Sequence, residues 1–414
     1  MQAALQVAES TRRPRCGDAL ARGPARRTLP SAAAAVYIPG MTQLSGDDVA
    51  AIRAALLAYF DAAARPLPWR STDDPYAIWV SEIMAQQTRV ETAIPFYERW
   101  LRQFPDVDAL AAAPLDDVLK AWEGLGYYSR ARNLHAAAQV VRERHDGAVP
   151  DSYDTLRDLP GVGEYTAGAV SSIAFGGRHA AVDGNARRVL SRLLDIPSPT
   201  AAWLRDVAGT LVPADRPGAF NQAVMELGAT ICTPKSPRCH RCPIARQCRS
   251  RAAGTQADRP AATKRKAIPT VDMATAIVRA ADGRLLIVRR PARGLLAGMW
   301  CFPCVGVTSV ADTGAHVYDI ARRYATPRGE PCPIGIVDHV FSHRRERYHC
   351  YMIDAVPDAV ACDEDIEWIG ETGTRRPMPR AQQRILSIVR GAERGEVNES
   401  GSGSGSVVGS RGRD

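Results

Sequence analysis

The stretch Leu159-Pro-Gly-Val-Gly163 joins two helical patterns, residues 152–158 and 164–175. Its two glycines permit a tight turn at a helix start, with backbone amides turned outward. Amides and the helix dipole together can hold a phosphate without lysine or arginine. The same residues also suit an ordinary helix–helix turn, and Gly-x-Gly alone does not separate the two. Twenty residues after Gly163 comes Asp183, within Val182-Asp-Gly-Asn-Ala-Arg187. Such an Asp reads first as a helix N-cap.

Working outward, helical patterning runs from about Ser45 to Thr230, broken at Pro66-Leu-Pro68, Phe104-Pro105, Gly124-Leu-Gly126, Pro150 and Gly176-Gly177. No alternating strand interrupts it, which predicts an all-α domain over 45–250. A polar stretch at 251–269 reads as a linker. Beyond it, Val271–Val278 and Leu285–Val288 flank Ala281-Asp-Gly283, a hairpin signal. Further strands are expected near 333–341 and 347–354, and a helix over 379–390, so residues 270–392 form an α+β domain. The Gly/Ser-rich tail, 393–414, is expected to be disordered. Residues 1–44 lack a hydrophobic period and read as a disordered extension or a mis-assigned start before Met41. An Arg-rich, acid-poor segment at 1–40 also suits a targeting role.

The chain has 414 residues, enough for two domains. No apolar run is long enough to cross a bilayer, so no membrane partner is expected. Net charge is +8, but residues 41–250 hold 23 Lys/Arg against 24 Asp/Glu. Nucleic-acid contact in that region must therefore come from a local face and from backbone amides.

Four of the ten cysteines cluster as Cys232-x6-Cys239-x2-Cys242-x5-Cys248. Clustering on a long chain points to a metal centre in a reducing, intracellular compartment. Zinc usually takes two short Cys-x2-Cys pairs, and here there is one; four cysteines also suit a 4Fe-4S cluster. Lys235, Arg238, Arg241, Arg246 and Arg249 interleave with the ligands, as a solvated surface or a phosphate-facing one.

Residues 78–89, Ile-Trp-Val-Ser-Glu-Ile-Met-Ala-Gln-Gln-Thr-Arg, read as an amphipathic helix with Trp79, Ile83, Val90 and Ile94 on its apolar stripe. Glu82 falls at the stripe's edge, where an acid must be solvated, paired or protonated.

These stretches, with Leu67-Pro-Trp-Arg70, Ser81–Thr88 and Gly124-Leu-Gly-Tyr-Tyr-Ser-Arg-Ala-Arg-Asn133, closely resemble the MutY family of adenine DNA glycosylases, in the helix-hairpin-helix, endonuclease III-like superfamily. The resemblance covers 45–250 and implies roles. Glu82 is the general acid protonating adenine N7, and Asp183 stabilises the oxocarbenium-like sugar. Tyr165 and Asn185 orient the acid and the sugar; Trp69 and Arg70 line the adenine pocket. Gln87 and Tyr127 wedge into the base stack, and Gly161, Val162 and Gly163 bind a DNA phosphate. Cys232, Cys239, Cys242 and Cys248 carry one 4Fe-4S cluster. Two carboxylates with separate tasks also suit glycosidic chemistry. Tyr165 stands where endonuclease III-type relatives place a nucleophilic lysine, which implies base excision with little strand cleavage. Ala85 departs from the family, which more often has a larger apolar residue there.

Residues 270–392 resemble the family's Nudix-like domain through Gly294-Leu-Leu-Ala-Gly-Met-Trp300, Phe302-Pro303 and Phe341-Ser-His343. No Glu occurs in 306–325, where a catalytic Nudix box is expected, so no pyrophosphatase activity is expected. The resemblance gives Phe341, Ser342 and His343 to recognition of the oxidised guanine. Cys301 and Cys304 read as structural.

The expected architecture is thus multi-domain: an all-α helix-hairpin-helix glycosylase domain with a 4Fe-4S loop, then an α+β Nudix-like domain. The expected activity is monofunctional removal of adenine mispaired with 8-oxoguanine or guanine in double-stranded DNA, by a cytoplasmic, nucleoid-associated monomer. The rivals are an endonuclease III-like enzyme with another base preference and a non-catalytic DNA-binding scaffold.

Overall fold

Residues 44–262, 267–357, 365–370 and 373–393 are described by the structure, a computed structural model. The expected extension before residue 44 and the tail after residue 393 lie outside them.

The helical half opens with α1 (Gly46–Ala63), α2 (Pro75–Ala85), α3 (Val90–Gln103), α4 (Val107–Ala112), α5 (Leu115–Ala121) and α6 (Ser129–Arg144). It continues with α7 (Tyr153–Arg157), α8 (Glu164–Phe175), α9 (Gly184–Leu193), α10 (Ala201–Leu211), α11 (Pro217–Thr230) and α12 (Arg249–Ala253). Helix α2 is the centre. Asp74 caps it through Tyr76 N, Pro75 occupies its first turn, and every residue from Tyr76 to Met84 is buried. It is therefore a core helix rather than an amphipathic one, and Glu82 lies inside the domain instead of at a stripe's edge.

The pattern read as one helix over 78–89 also stops early, at Ala85. The last carbonyls of a helix lack intrahelical donors. Here the Arg130 guanidinium, from α6, supplies them: Nη1 donates to Ile83 O (2.9 Å), Met84 O (3.0 Å) and Gln86 O. Gln87 then turns into the left-handed region (φ 54°) and α3 starts afresh at Val90.

The expected hairpin forms between α7 and α8. Gly161 has φ 74°, and a Cβ there would meet Asn133 Cβ at 2.5 Å, so only glycine fits.

The expected linker at 251–269 begins later than its composition indicated. Residues up to 262 strap back onto α9 and its following turn. Arg192 Nε donates to Arg259 O (3.0 Å), Arg259 pairs with Asp195 (2.8 Å), and Ala261 N donates to Pro197 O (2.7 Å). The polar residues that looked like linker are partners in a surface network.

The second half builds a sheet from β1 (Thr270–Arg279), β2 (Leu285–Arg289), β3 (Trp300–Cys301), β4 (Cys304–Val307), β5 (Ala325–Val340), β6 (Arg345–Pro357) and β7 (Ile366–Ile369), with α13 (Thr313–Ala321) and α14 (Arg380–Glu393). Strand order is β3-β2-β1-β6-β5, with β4 also on β1 and β7 on β2. The predicted β1–β2 hairpin closes at Gly283 N–Ala280 O (2.9 Å) and is in register at Arg279 and Leu285. The body of β1 pairs instead with β6, in parallel from Thr270↔Arg345 to Arg279↔Asp354. Helix α14 covers one face of the sheet through Ile385, Leu386 and Val389; α13 covers the other through Val317, Ile320 and Ala321.

Asp116 on α5 joins the two halves. It accepts from Arg289 (3.1 Å), Arg376 (3.0 Å) and Trp300 Nε1 (3.3 Å), while Glu123 accepts from Met378 N (2.8 Å). Met299 packs into the helical core, and Arg132 donates to Ala297 O (2.9 Å). Asp116→Ala removes the acceptor that Arg289, Arg376 and Trp300 share at this seam, at a cost of about 1–3 kcal/mol, although Arg376 keeps its bond to Glu367. Calorimetry is expected to show the sheet domain melting in a separate, earlier transition; an unchanged single transition would mean Asp116 does not hold the seam.

Candidate active site

A cavity of about 1060 Å³ opens in the helical domain, and Trp69, Arg70, Glu82, Tyr165, Asp183 and Asn185 all line it. Gln87, Gly161 and Gly163 stand on its wall as well, as does Ala85.

Glu82 comes from the middle of α2 and is 9% exposed. Tyr165, one residue into α8, donates its hydroxyl to Glu82 Oε2 at 2.6 Å. Burial pushes the Glu82 carboxyl up to about 7; the Tyr165 bond opposes this and the charge of Asp183 adds to it. Asp183 is the N-cap of α9, accepting from Ala186 N at 2.7 Å and from Asn185 Nδ2 at 2.8 Å. Burial raises its carboxyl also, leaving it above the usual range, although the Ala186 and Asn185 bonds and the Arg188 charge oppose this. One carboxyl is thus kept ready to hold a proton, while the other is equipped with donors that favour its anion.

Arg70 lines the cavity but is already committed. Its guanidinium bonds Glu226 (2.9 Å), Arg65 O (2.9 Å) and Gln222 (3.2 Å), and Glu226 also pairs with Arg65 at 2.6 Å. Burial raises the Glu226 carboxyl, and the two arginines outweigh it, leaving it below the usual range. Trp69 is set edge-on against Tyr97, with ring centroids 5.4 Å apart.

The hairpin Gly161-Val-Gly163 presents the α8 N-terminus with no side-chain cap. Val162 corrects its expected role: its side chain is buried and its amide is spent on Leu159 O (3.1 Å), closing the turn. Only the glycines and the first turn of α8 face outward.

The chain matches the HhH-GPD superfamily of base excision DNA repair proteins over residues 80–208 and a NUDIX domain over 274–387. It is similar to the adenine DNA glycosylase of Rattus norvegicus, 38% identical over 368 residues, covering 74% of this chain and 71% of the relative. The adenine DNA glycosylase of Schizosaccharomyces pombe is 33% identical, with 78% of this chain and 86% of the relative covered. The chain belongs to the adenine DNA glycosylase family. It is a base-excision repair glycosylase, an enzyme that hydrolyses N-glycosidic bonds. Among solved structures it is similar to a thermostable thymine-DNA glycosylase: TM-score 0.47, 30% identity, 50% of this chain and 98% of that one.

Outside the cavity lining, the glycosylase shows Tyr127 at 46% exposure with φ 48°, whereas its neighbour Tyr128 is buried in the core. Arg130 was missed by sequence reasoning. It ends α2 before Gln87 and also donates to Leu125 O (3.3 Å) and Gly126 O (3.2 Å), just before Tyr127. One cation therefore sets both exposed left-handed turns, and only its place in the Gly124–Asn133 stretch hinted at this.

Phe341, Ser342 and His343 form the tip between β5 and β6, closed by Phe341 N–Arg344 O at 2.8 Å. His339, also missed, packs edge-on against Phe341, centroids 4.6 Å apart. Burial and the nearby Arg384 charge lower its pKa, which favours the neutral ring.

Cys232, Cys239, Cys242 and Cys248 are free thiols lining one small space with Arg192 and Arg251, and that lining holds no carboxylate or imidazole. Arg192 Nη1 lies 3.3 Å from Cys232 Sγ. Burial pushes Cys242 up to about 11 and raises Cys248, so thiolates there require a cationic partner. Among the described residues, no His, Cys, Asp or Glu group has single-ion spacing. Arg188, a further residue missed, bonds Asn185 Oδ1 (2.9 Å), Cys232 O (2.8 Å) and Gly228 O (2.7 Å), tying the cysteine loop to the Asp183 cap.

Ionising a carboxyl held at about 7 rather than 4.5 costs roughly 3 kcal/mol of native stability. With the folded pKa raised, stability is full below the unfolded pKa and falls as pH rises from about 4.5 through 7. Glu82→Gln is therefore expected to be more stable than the parent at pH 8 by up to about 3 kcal/mol, the difference shrinking toward pH 4. Urea unfolding at both pH values tests this; an equal offset at both would show that ionisation is not its source.

Proposed function

We propose that the enzyme removes adenine paired with 8-oxoguanine or guanine in double-stranded DNA, acting as a monomer and without cutting the strand. The observation that carries this reading is the Tyr165–Glu82 bond of 2.6 Å inside a cavity shared with Asp183. In this reading adenine is flipped into the cavity, since its glycosidic bond is out of reach in the stack. The Glu82 carboxyl gives its proton to adenine N7, and the C1′–N9 electrons leave with the base. The Asp183 carboxylate, held by Ala186 N and Asn185, faces the sugar cation until water adds. Position 165 carries a phenol rather than an amine, so no Schiff base forms and the backbone stays intact. Gln87 and Tyr127, exposed on paired turns, fill the gap in the stack. The hairpin amides hold a phosphate. The Phe341-Ser-His343 tip reads the opposite base, which is how oxidised guanine is distinguished.

Burial with a hydroxyl donor is the setting of an acid that works near neutral pH. Duplexes carrying adenine opposite 8-oxoguanine, adenine opposite guanine and thymine glycol opposite adenine distinguish the readings. Adenine release fastest opposite 8-oxoguanine is expected, with strand breaks only after alkali. The single-turnover rate should be flat just below pH 7 and fall about tenfold per unit above it. Glu82→Gln should lose roughly 10²–10⁴-fold. Release of thymine glycol, or direct strand breaks, would place the enzyme on the endonuclease III side; tight binding without release would leave a scaffold.

We further propose that Cys232, Cys239, Cys242 and Cys248 hold a 4Fe-4S cluster. A cluster there supplies a cross-link for the 232–248 loop, and Arg192 beside Cys232 is placed to donate to its sulfur. Purified protein should be brown and contain iron and acid-labile sulfide, both lost in Cys239→Ser. Colourless protein with stoichiometric zinc would refute it.

A further inference from the structure

Four arginines line the active-site cavity: Arg65, Arg70, Arg187 and Arg205. Arg65 and Arg70 share Glu226, and Arg205 pairs with Glu164 at 2.7 Å. Arg187 is exposed, and among the described residues its guanidinium has no hydrogen-bond or ion-pair partner. It sits four residues after Asp183, one turn along α9, so both side chains rise from the same helix face. We propose that Arg187 binds a backbone phosphate of the nucleotide extruded into this cavity.

The assignment rests on reading the cavity as the pocket for a flipped nucleotide. Adenine and deoxyribose are neutral, and the only anion such a ligand brings is its phosphodiester. A cation with no internal carboxylate is the one wall group free to neutralise it, and a guanidinium suits phosphate through paired donors. Asp183 is assigned to the sugar, and the phosphates flank that sugar. Helical spacing puts Arg187 about 6 Å along the axis from Asp183. The contact is assigned to the extruded state, because Arg187 lines the cavity that the nucleotide enters. It differs from the hairpin contact, which uses amides and adds no cation.

The test uses the full chain in a Glu82→Gln background, so that mispaired DNA stays intact, and compares Arg187, Arg187→Gln and Arg187→Lys. Binding is measured over a salt series on a duplex with adenine opposite 8-oxoguanine and on its fully matched counterpart. A single phosphate contact contributes about 0.9 to the slope of log K against log salt. Arg187→Gln is expected to lower that slope by about 0.9 on the mispaired duplex and to weaken binding roughly tenfold. The matched duplex should be unaffected, and Arg187→Lys should keep the slope. An unchanged slope on the mispair, or an equal fall on both duplexes, would overturn the assignment. If the parent fails to distinguish the two duplexes, the flipped-nucleotide reading itself falls. If it distinguishes them and Arg187→Gln leaves the slope intact, only the arginine's role does.

Discussion

The helical domain depends on keeping one acid, Glu82, away from water. A carboxyl on a helix buried from Tyr76 to Met84 is costly as an anion, and the single strong bond it receives comes from Tyr165. Two helices distant in sequence must therefore meet with little tolerance. Much of the domain serves that meeting. Trp79, Trp100 and Trp122 fill the core around α2, and Arg65 and Arg70 neutralise Glu226 so that it adds no second free anion. The stability lost at Glu82 is repaid in reactivity, because water would return the carboxyl to its ordinary acidity.

The same helix must also stop in the right place. Arg130 takes the carbonyls that end α2 and those that precede Tyr127, so the helix that carries Glu82 and both exposed left-handed turns share one half-buried cation. Burial lowers the Arg130 pKa to about 10, still far above neutrality, so the charge persists. A lysine could not replace it, since its compact ammonium cannot reach five carbonyls lying on two segments. Gly228 plays a comparable part behind the second carboxyl: a Cβ there would meet Asn185 Cβ at 2.6 Å, and α11 could not approach the Asp183 cap.

How far the sequence could be read follows from what each signal depends on. The hairpin, the Asp183 cap and the cysteine loop are local: turn chemistry and spacing define them, and all three were legible. The depth of Glu82 was not. An apolar stripe with one acid looks the same whether the helix is half-covered or enclosed, and only tertiary packing decides. Val162 misled because a motif residue was assumed to face the ligand, whereas its amide closes the turn. Residues 251–262 misled for the opposite reason, since polar composition cannot tell a linker from a strap whose arginines find carbonyls and Asp195. Arg130, Arg188 and His339 were missed because their partners lie elsewhere in the chain or across a hairpin tip, and nothing in their neighbourhoods marks the bonds they make.

Gly294–Trp300 shows the same limit in the second domain. It was legible as a family stretch, yet its physical task emerges only from the fold. Met299 enters the helical core, Ala297 O accepts from Arg132, and Trp300 Nε1 reaches Asp116. The sheet domain therefore borrows part of its anchorage from the helical one. Two domains that only share a flexible tether would each have to find DNA and then each other. Here Asp116 gathers Arg289, Arg376 and Trp300 before any ligand is present, so the ordering entropy of that encounter is met during folding rather than during binding. Under the proposed function, a sheet domain fixed in advance relative to the acid can make any recognition it performs count toward extrusion, because no binding energy is diverted to assembling the two halves.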